Sequence, residues 1–185
     1  MGYNEFLKYT FCLLLLTVLV GCNKNSPGEL KKELPPLTHE GKNLFACKVN
    51  DEVWVARTSF SIGGSIPLEG EYNEVLGTLW LKGVINTNSD SVFQFIRFYG
   101  IDIYSTDSYQ MDVLSNEITG FRNYRGDMSC GAYFHDENNK GTITITHLDT
   151  LNDIISGTFE MDLLSHESCA TEVLKITNGR FDMGY

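Results

Sequence analysis

The chain has 185 residues, of which 42% are hydrophobic and 21% are charged, the size and composition of one globular domain. This apolar content argues against a largely disordered protein. The 24 acidic and 14 basic side chains give a net charge of −10, which repels phosphate backbones. We therefore expect no nucleic-acid partner.

The first 21 residues have the pattern of a bacterial lipoprotein signal peptide. Residues 9–20 form an uncharged apolar run behind Lys8, too short to span a bilayer as a helix, which needs ~20 residues. Directly after it, residues 19–22 read Leu-Val-Gly-Cys and resemble a lipobox, whose cysteine is lipidated and becomes the new amino terminus. Two or three acyl chains, at about 0.8 kcal/mol per buried CH₂, hold a protein stably on a membrane. The sequence thus predicts a cell-envelope lipoprotein on the outer membrane, with fatty acids such as palmitate carried by Cys22.

Behind the signal peptide the sequence divides into a tether and a domain. Residues 22–42 hold three of the four prolines and have no usable apolar period, which predicts a flexible tether that starts at the lipidated cysteine. From 43 to 185, short runs with period two are separated by clusters of Gly, Asn, Asp and Ser. About nine strands in this length predict an all-β domain, either an antiparallel β-sandwich or an open β-barrel.

The clearest predicted strand is 154–163, in which, from Ile155 onward, apolar or small residues at odd positions alternate with polar ones at even positions. A second strand is predicted at 142–148, where residues 142–146 alternate in the same way, and 45–49 and 53–55 predict a hairpin that turns at Asn50-Asp51. Further strands are expected at 75–83, 91–99, 109–114, 130–135 and 172–183. If 130–135, 142–148 and 154–163 are neighbours, they form a meander.

Motifs stand at both ends of the exported chain: Leu34-Pro35-Pro36, Gly41, Asn43, Phe45, Cys47, Val49-Asn50 and Trp54, then 141–146, 148–149, 155–159 and 176–182. At these positions the chain resembles a family of uncharacterised lipoproteins from Bacteroidota. In that family the usual hairpin tip is Val-Asn-Gly, and Asp51 stands here in place of the glycine. The resemblance implies an envelope location and an all-β fold, and it brings no catalytic residues.

The exported chain contains three candidate disulfide cysteines, Cys47, Cys130 and Cys169, in a compartment where disulfides persist. The predicted meander would put Cys130 and Cys169 at opposite ends of strands about 20 Å long. A disulfide tolerates Cα atoms no more than about 7 Å apart. Cys47 is then the expected partner of Cys130 or of Cys169, and the alternative is three reduced thiols packed in the core.

No sequence pattern predicts a metal, a cofactor or a catalytic site. His166, three residues before Cys169, has no second close ligand, and no Gly-x-Ser-x-Gly motif marks a nucleophile. The leading hypothesis is therefore a non-catalytic binding or structural domain, with a protein or glycan partner left open.

Two alternative functions depend on particular side chains. A glycan-binding module would use the loop aromatics Tyr104, Tyr109 and Tyr124, because aromatic faces suit sugar rings. A hydrolase would use carboxylates such as Glu160 and Asp162. One strand face places those two about 7 Å apart, a separation in the range of a glycosidase pair.

Overall fold

The computed structural model describes residues 33–58, 66–87, 92–111, 120–124, 131–134, 141–165 and 173–185, and in these ranges every regular element is a strand. Within them no helix has the length and apolar character needed to span a membrane. The twelve described strands are β1 (Leu44–Val49), β2 (Glu52–Val55), β3 (Arg57–Thr58), β4 (Leu68–Asn73), β5 (Thr78–Thr87), β6 (Val92–Gly100), β7 (Ser108–Gln110), β8 (Gly120–Tyr124), β9 (Ala132–Phe134), β10 (Thr142–Asp149), β11 (Ile154–Leu163) and β12 (Leu174–Gly184).

The strands form two open sheets that pack as a β-sandwich. Sheet I has the order β2-β1-β12-β11-β10-β7, and sheet II has the order β3-β5-β6-β8-β9, with β4 also paired to β5. All the pairs are antiparallel except the short pair between β3 and β5. The predicted all-β, antiparallel fold is therefore confirmed, and the sandwich is the form it takes.

Two backbone bridges join the sheets at their margins. Gly100, at the end of β6, bridges Met111 just after β7. Phe134 and Leu164 exchange both of their backbone hydrogen bonds, at 2.7 and 2.8 Å, which connects the end of β9 with the residue after β11. The two sheets are thus connected by backbone hydrogen bonds at these margins, in addition to packing face to face.

The core is centred on four phenylalanines that lie between the sheets. The Phe159 ring centroid is 4.8 Å from that of Phe45 in the same sheet and 4.8 Å from that of Phe98 in sheet II. Phe181 contacts Phe98 from β12, and all four side chains are buried. Gly83 on β5 faces Phe45, and a Cβ there would come within 2.4 Å of that ring. The close approach of the two sheets therefore requires glycine at position 83.

The predicted hairpin near the start of the domain is confirmed, and its turn type follows from the backbone. Val49 pairs with Glu52, so Asn50 and Asp51 form a two-residue loop with φ of 47° and 67°. Two positive φ angles define a type I′ turn, which asparagine and aspartate tolerate better than other non-glycine residues. Asp51 therefore occupies the second position of a type I′ turn, where glycine is common.

The predicted meander is wrong in its first strand. β10 and β11 do pair, but β9 pairs with β8 in sheet II, and β7 takes the other side of β10. Sequence pattern could not assign the three-residue β9 to a sheet, because so short a run has the same alternation in either one. Strands β3, β4 and β8 were not predicted, whereas the bounds of β11 agree with the predicted 154–163.

The thiol of Cys47 is free and fully buried in the core, so the disulfide expected at this residue is not formed. Burial raises the pKa of the Cys47 thiol well above its usual range, which suppresses the reactive thiolate. Cys47 is buried because it lies two residues from Phe45 on β1, so both side chains point to the same, inward side of the sheet. Cys130 and Cys169 lie outside the described residues.

The bridge between Phe134 and Leu164 also removes the argument against a bond between Cys130 and Cys169. Phe134 lies four residues after Cys130, and Leu164 lies five residues before Cys169. Each residue spans at most about 3.6 Å, so the number of residues between each cysteine and this bridge does not exclude a bond between them.

We therefore expect Cys130 and Cys169 to be the disulfide-bonded pair and Cys47 to remain reduced. Peptide mapping of the exported protein without reduction should detect a Cys130–Cys169 linkage. Cys47 should react with a thiol reagent only in denaturant. A linkage that contains Cys47 would contradict the burial described above.

Candidate functional site

The outward face of sheet I presents hydroxyl and amide groups in rows across its strands. Thr144 of β10 lies opposite Ser108 of β7 on one side and opposite Thr158 of β11 on the other, and Thr158 lies opposite Arg180 of β12. The hydroxyls of Ser108 and Thr144 are 2.8 Å apart. This arrangement follows from the period-two pattern, because the alternate residues of the same strands fill the core.

A cleft of about 250 Å³ opens on this face and is here called the polar cleft. It is smaller than the ~300–1,000 Å³ typical of pockets for drug-sized ligands. Its lining residues come from β10, β11 and β12, and they are Thr142, Thr144, Thr158, Phe159, Glu160, Asn178, Gly179 and Arg180. The lining offers hydroxyl, amide, guanidinium and carboxylate groups over the buried Phe159, a set suited to a small ligand rich in oxygen.

One side chain of the polar cleft also holds the segment that precedes the domain. Residues 33–42, here called the strap, are the described part of the predicted tether. Arg180 Nη1 donates a hydrogen bond of 2.7 Å to the carbonyl oxygen of Pro35, and its Nε donates one of 3.4 Å to the carbonyl oxygen of Asn178. A guanidinium group has five N–H donors, so further donors stay available beside the cleft.

The strap is held on sheet I by the buried carboxylate of Asp182, which accepts five hydrogen bonds. The Thr38 hydroxyl donates at 2.6 Å, and the backbone N–H groups of Glu40, Gly41 and Lys42 donate at 3.1, 2.9 and 3.2 Å. The fifth donor is the hydroxyl of the fully buried Ser156, at 2.8 Å. Successive backbone N–H groups around a residue with positive φ form a concavity for anions, and Gly41 supplies that residue with φ of 67°.

The electrostatics of Asp182 are set by two opposing effects. Burial raises the pKa of its carboxyl group, but the hydrogen bonds from Thr38, Glu40, Ser156 and Lys42 outweigh burial and lower the pKa to about 2. A buried charge of this kind is tolerated only where hydrogen bonds replace its hydration. The strap therefore supplies the donors that allow Asp182 to remain ionised inside the protein.

Two histidines extend the contact between the strap and the sheet. The rings of His39 and His147 stack with centroids 5.1 Å apart, and His39 Nε2 lies 3.2 Å from the hydroxyl oxygen of Thr146. The register of β10 shifts between Ile145 and His147, which turns both Thr146 and His147 outward. The strap thus crosses β12, β11 and β10 instead of contacting a single strand.

Of the three predicted aromatic residues, Tyr104 and Tyr109 lie near each other, because the Tyr109 hydroxyl accepts a hydrogen bond of 3.2 Å from the N–H of Ser105; the side chain of Tyr124 lies outside the described part of the structure. The Tyr104 ring is 58% exposed and lies over Gly77, where an added Cβ would approach it to 2.5 Å. Tyr109 packs against the core, and its hydroxyl donates to the Ser105 carbonyl oxygen at 2.9 Å. Tyr124 is the last residue of β8 in sheet II. None of the three is among the described residues that line the polar cleft.

The two predicted carboxylates do share the outward face of β11, since Glu160 is exposed and Asp162 is half-buried. Glu160 lines the polar cleft, and Asp162 is not among the described residues that line it. No group of three or more His, Cys, Asp or Glu residues in the described ranges is arranged to hold a metal ion. Cys22 and its lipobox lie outside the described residues.

Sequence reasoning missed Asp182 and the strap, although a signal was present. Within β12, Asp182 stands between the buried Phe181 and Met183, on the face expected to be wet, and yet it is fully buried. Its four donors in the strap lie 140 to 144 residues away in the chain and Ser156 lies 26 residues away, so no local pattern connects them.

Comparison with known proteins gives no match: no family model, no curated protein and no solved structure is significantly similar to this chain.

The first prediction from this site concerns the carboxylate of Asp182. Asp182→Asn imitates the protonated acid, so we expect it to reduce the free energy of unfolding by roughly 2–3 kcal/mol at pH 7. Folding lowers the pKa of Asp182, so its stabilisation is present above the ordinary value of about 3.9 and is lost as the pH falls through that value toward about 2. Urea unfolding between pH 2 and 7 measures both effects.

Asp162→Asn, on the same face of the neighbouring strand, is the matched control and should change stability by less than about 0.5 kcal/mol. In Asp182→Asn, trypsin should also cleave after Lys42 faster than in the wild type, because the strap donors lose the negative charge and one of their two acceptor oxygens. Equal cleavage rates and an unchanged pH profile would mean that Asp182 does not fix the strap.

Proposed function

We propose that this chain is a lipid-anchored lipoprotein of the cell envelope, placed on the outer membrane by fatty acids on Cys22, and that its β-sandwich binds a partner without catalysing a reaction. The observation that carries the proposal is the lipobox at residues 19–22, directly after an uncharged apolar run of signal-peptide length. A cysteine at this point of an exported chain is the nucleophile that lipidation requires.

The attachment of the strap supports a role in which the domain is held by its amino-terminal segment. In a lipoprotein any pull between the membrane and the domain passes through the chain after Cys22. Residues 38–42 are fixed to β12 by four hydrogen bonds to Asp182, and Pro35 is fixed by Arg180. A pulling force on the strap would therefore act on β12, an interior strand of sheet I, and not on an edge strand.

A second candidate function is the binding of a glycan, and the polar cleft is the observation that favours it. Its hydroxyl, amide and guanidinium groups can donate and accept hydrogen bonds as sugar hydroxyls require. A volume of about 250 Å³ suits one sugar residue or the end of a chain better than a long oligosaccharide. In this form the proposal assigns binding to Thr144, Thr158, Asn178 and Arg180 instead of the tyrosines.

The membrane anchor is tested by Cys22→Ser in cells supplied with a palmitate analogue. We expect the label to disappear and the protein to keep its signal peptide, because the lipidated thiol is what the cleavage pathway requires. Cys47→Ser is the matched control, since a buried core thiol should accept no lipid and the label should persist. Label retained by Cys22→Ser would refute the assignment of the anchor.

The polar cleft is tested on the soluble protein 23–185, which keeps the whole strap, by screening a glycan array. A positive glycan should bind roughly five- to tenfold more weakly to Thr158→Val, because the loss of one hydrogen bond to a polar ligand costs roughly 1–1.5 kcal/mol. Thr177→Val, on β12 but outside the cleft lining, is the matched control and should bind normally. Silence across the array, or equal loss in both variants, would remove this function.

A further inference from the structure

Three turns meet at one end of the sandwich, here called the apolar end. They are 74–77 between β4 and β5, 101–107 between β6 and β7, and 150–153 between β10 and β11. Tyr185 joins two of them, since its N–H donates to the Asp153 carbonyl oxygen at 2.8 Å and its hydroxyl donates to Glu74 at 3.1 Å. The N–H of Ile103 donates to the Gly77 carbonyl oxygen at 2.9 Å, which attaches the third turn.

The tips of these turns carry large apolar side chains that nothing in the described structure covers. Seven such side chains are exposed in the described ranges, and only Ile66 and Val173 lie elsewhere. The five at the apolar end, with their exposed fractions, are Val75 (86%), Leu76 (61%), Ile101 (42%), Tyr104 (58%) and Leu151 (94%). Solvent-exposed turns are ordinarily built from polar residues, so this concentration marks a surface that has a partner.

Two of the turns hold their apolar residue in the same way. Asn73 Oδ1 accepts hydrogen bonds of 3.0 Å from the N–H groups of Val75 and Leu76. Asp149 Oδ1 accepts bonds of 3.0 and 3.1 Å from the N–H groups of Leu151 and Asn152. Each turn thus fixes its backbone through the residue two positions before the apolar tip. Val75 and Leu151 are presented in ordered turns, which reduces the entropy cost of burying them in a partner.

Acidic side chains border the apolar tips. Glu74, Asp102 and Asp153 are exposed, one in each turn, and Asp149 is half-buried beside Leu151. The sequences of the three turns contain no lysine or arginine. A surface of this charge repels anionic lipid headgroups and attracts a partner that surrounds its apolar pocket with basic side chains.

The location of the partner in the cell envelope rests on the proposed lipid at Cys22, whereas the apolar tips and their acidic border do not.

We propose that the apolar end is a docking site for a protein partner of the cell envelope, one that offers an apolar pocket bordered by lysine or arginine side chains. Val75 and Leu151 enter the pocket from two ordered turns. Glu74, Asp102 and Asp153 pair with the basic border and orient the partner.

The test places a photoreactive amino acid at Leu151 of the full chain in its native cells, with the same amino acid at Lys175 as the matched control. Lys175 is exposed near the start of β12, at the other end of the sandwich. We expect one crosslinked protein from position 151, absent from position 175, whose crosslinked peptide contains lysine or arginine. Its yield should fall at least about fivefold in Val75→Ser and in Glu74→Gln, and it should fall as salt rises.

The other outcomes would overturn the proposal. A crosslink from position 151 to lipid would assign this end to a membrane, and a crosslink to a second copy would assign it to self-association. The same proteins captured from both positions, or no crosslink from position 151, would remove the docking site. Palmitate labelling of the same cells reports separately on Cys22, so a missing label would refute the anchor while the crosslinking result still decides the docking site.

Discussion

The structure depends on one buried carboxylate whose charge is balanced by hydrogen bonds alone. Asp182 has no cation among the ion pairs of the described residues, and its five donors come from the strap and from Ser156. Removing the donors would leave an ionised group without hydration, which is more costly than leaving a neutral group unpaired. The strap is thus part of the folded domain, because it supplies four of the five hydrogen bonds that satisfy this buried charge.

The parts of the fold that could be predicted from sequence are those with a local physical cause. The alternation along β11 follows from the two-residue period of a strand, and it places Phe159, Met161 and Leu163 in the core. The Asn50-Asp51 turn follows from the tolerance of these two residues for positive φ. In both cases the information lies within about ten residues of chain, the range over which sequence pattern is reliable.

The rest depends on contacts between distant residues, which sequence pattern does not encode. The place of β9 in sheet II is set by its pairing with β8, and a three-residue strand carries no mark of its sheet. The polar cleft needs β10, β11 and β12 side by side, so its lining was visible only as separate polar positions.

The two candidate binding surfaces differ in what it costs the folded domain to present them. The polar cleft needs only the outward residues of three strands, which the core leaves free, so its presence is a weak sign of selection for a ligand. The apolar end is different, because exposing Val75 and Leu151 reduces solubility and gives the isolated domain no packing in return. Residues that break a local rule without a benefit to folding are expected at functional sites. By this criterion the apolar end has the stronger claim to a partner, and the acidic side chains around it define what that partner must carry.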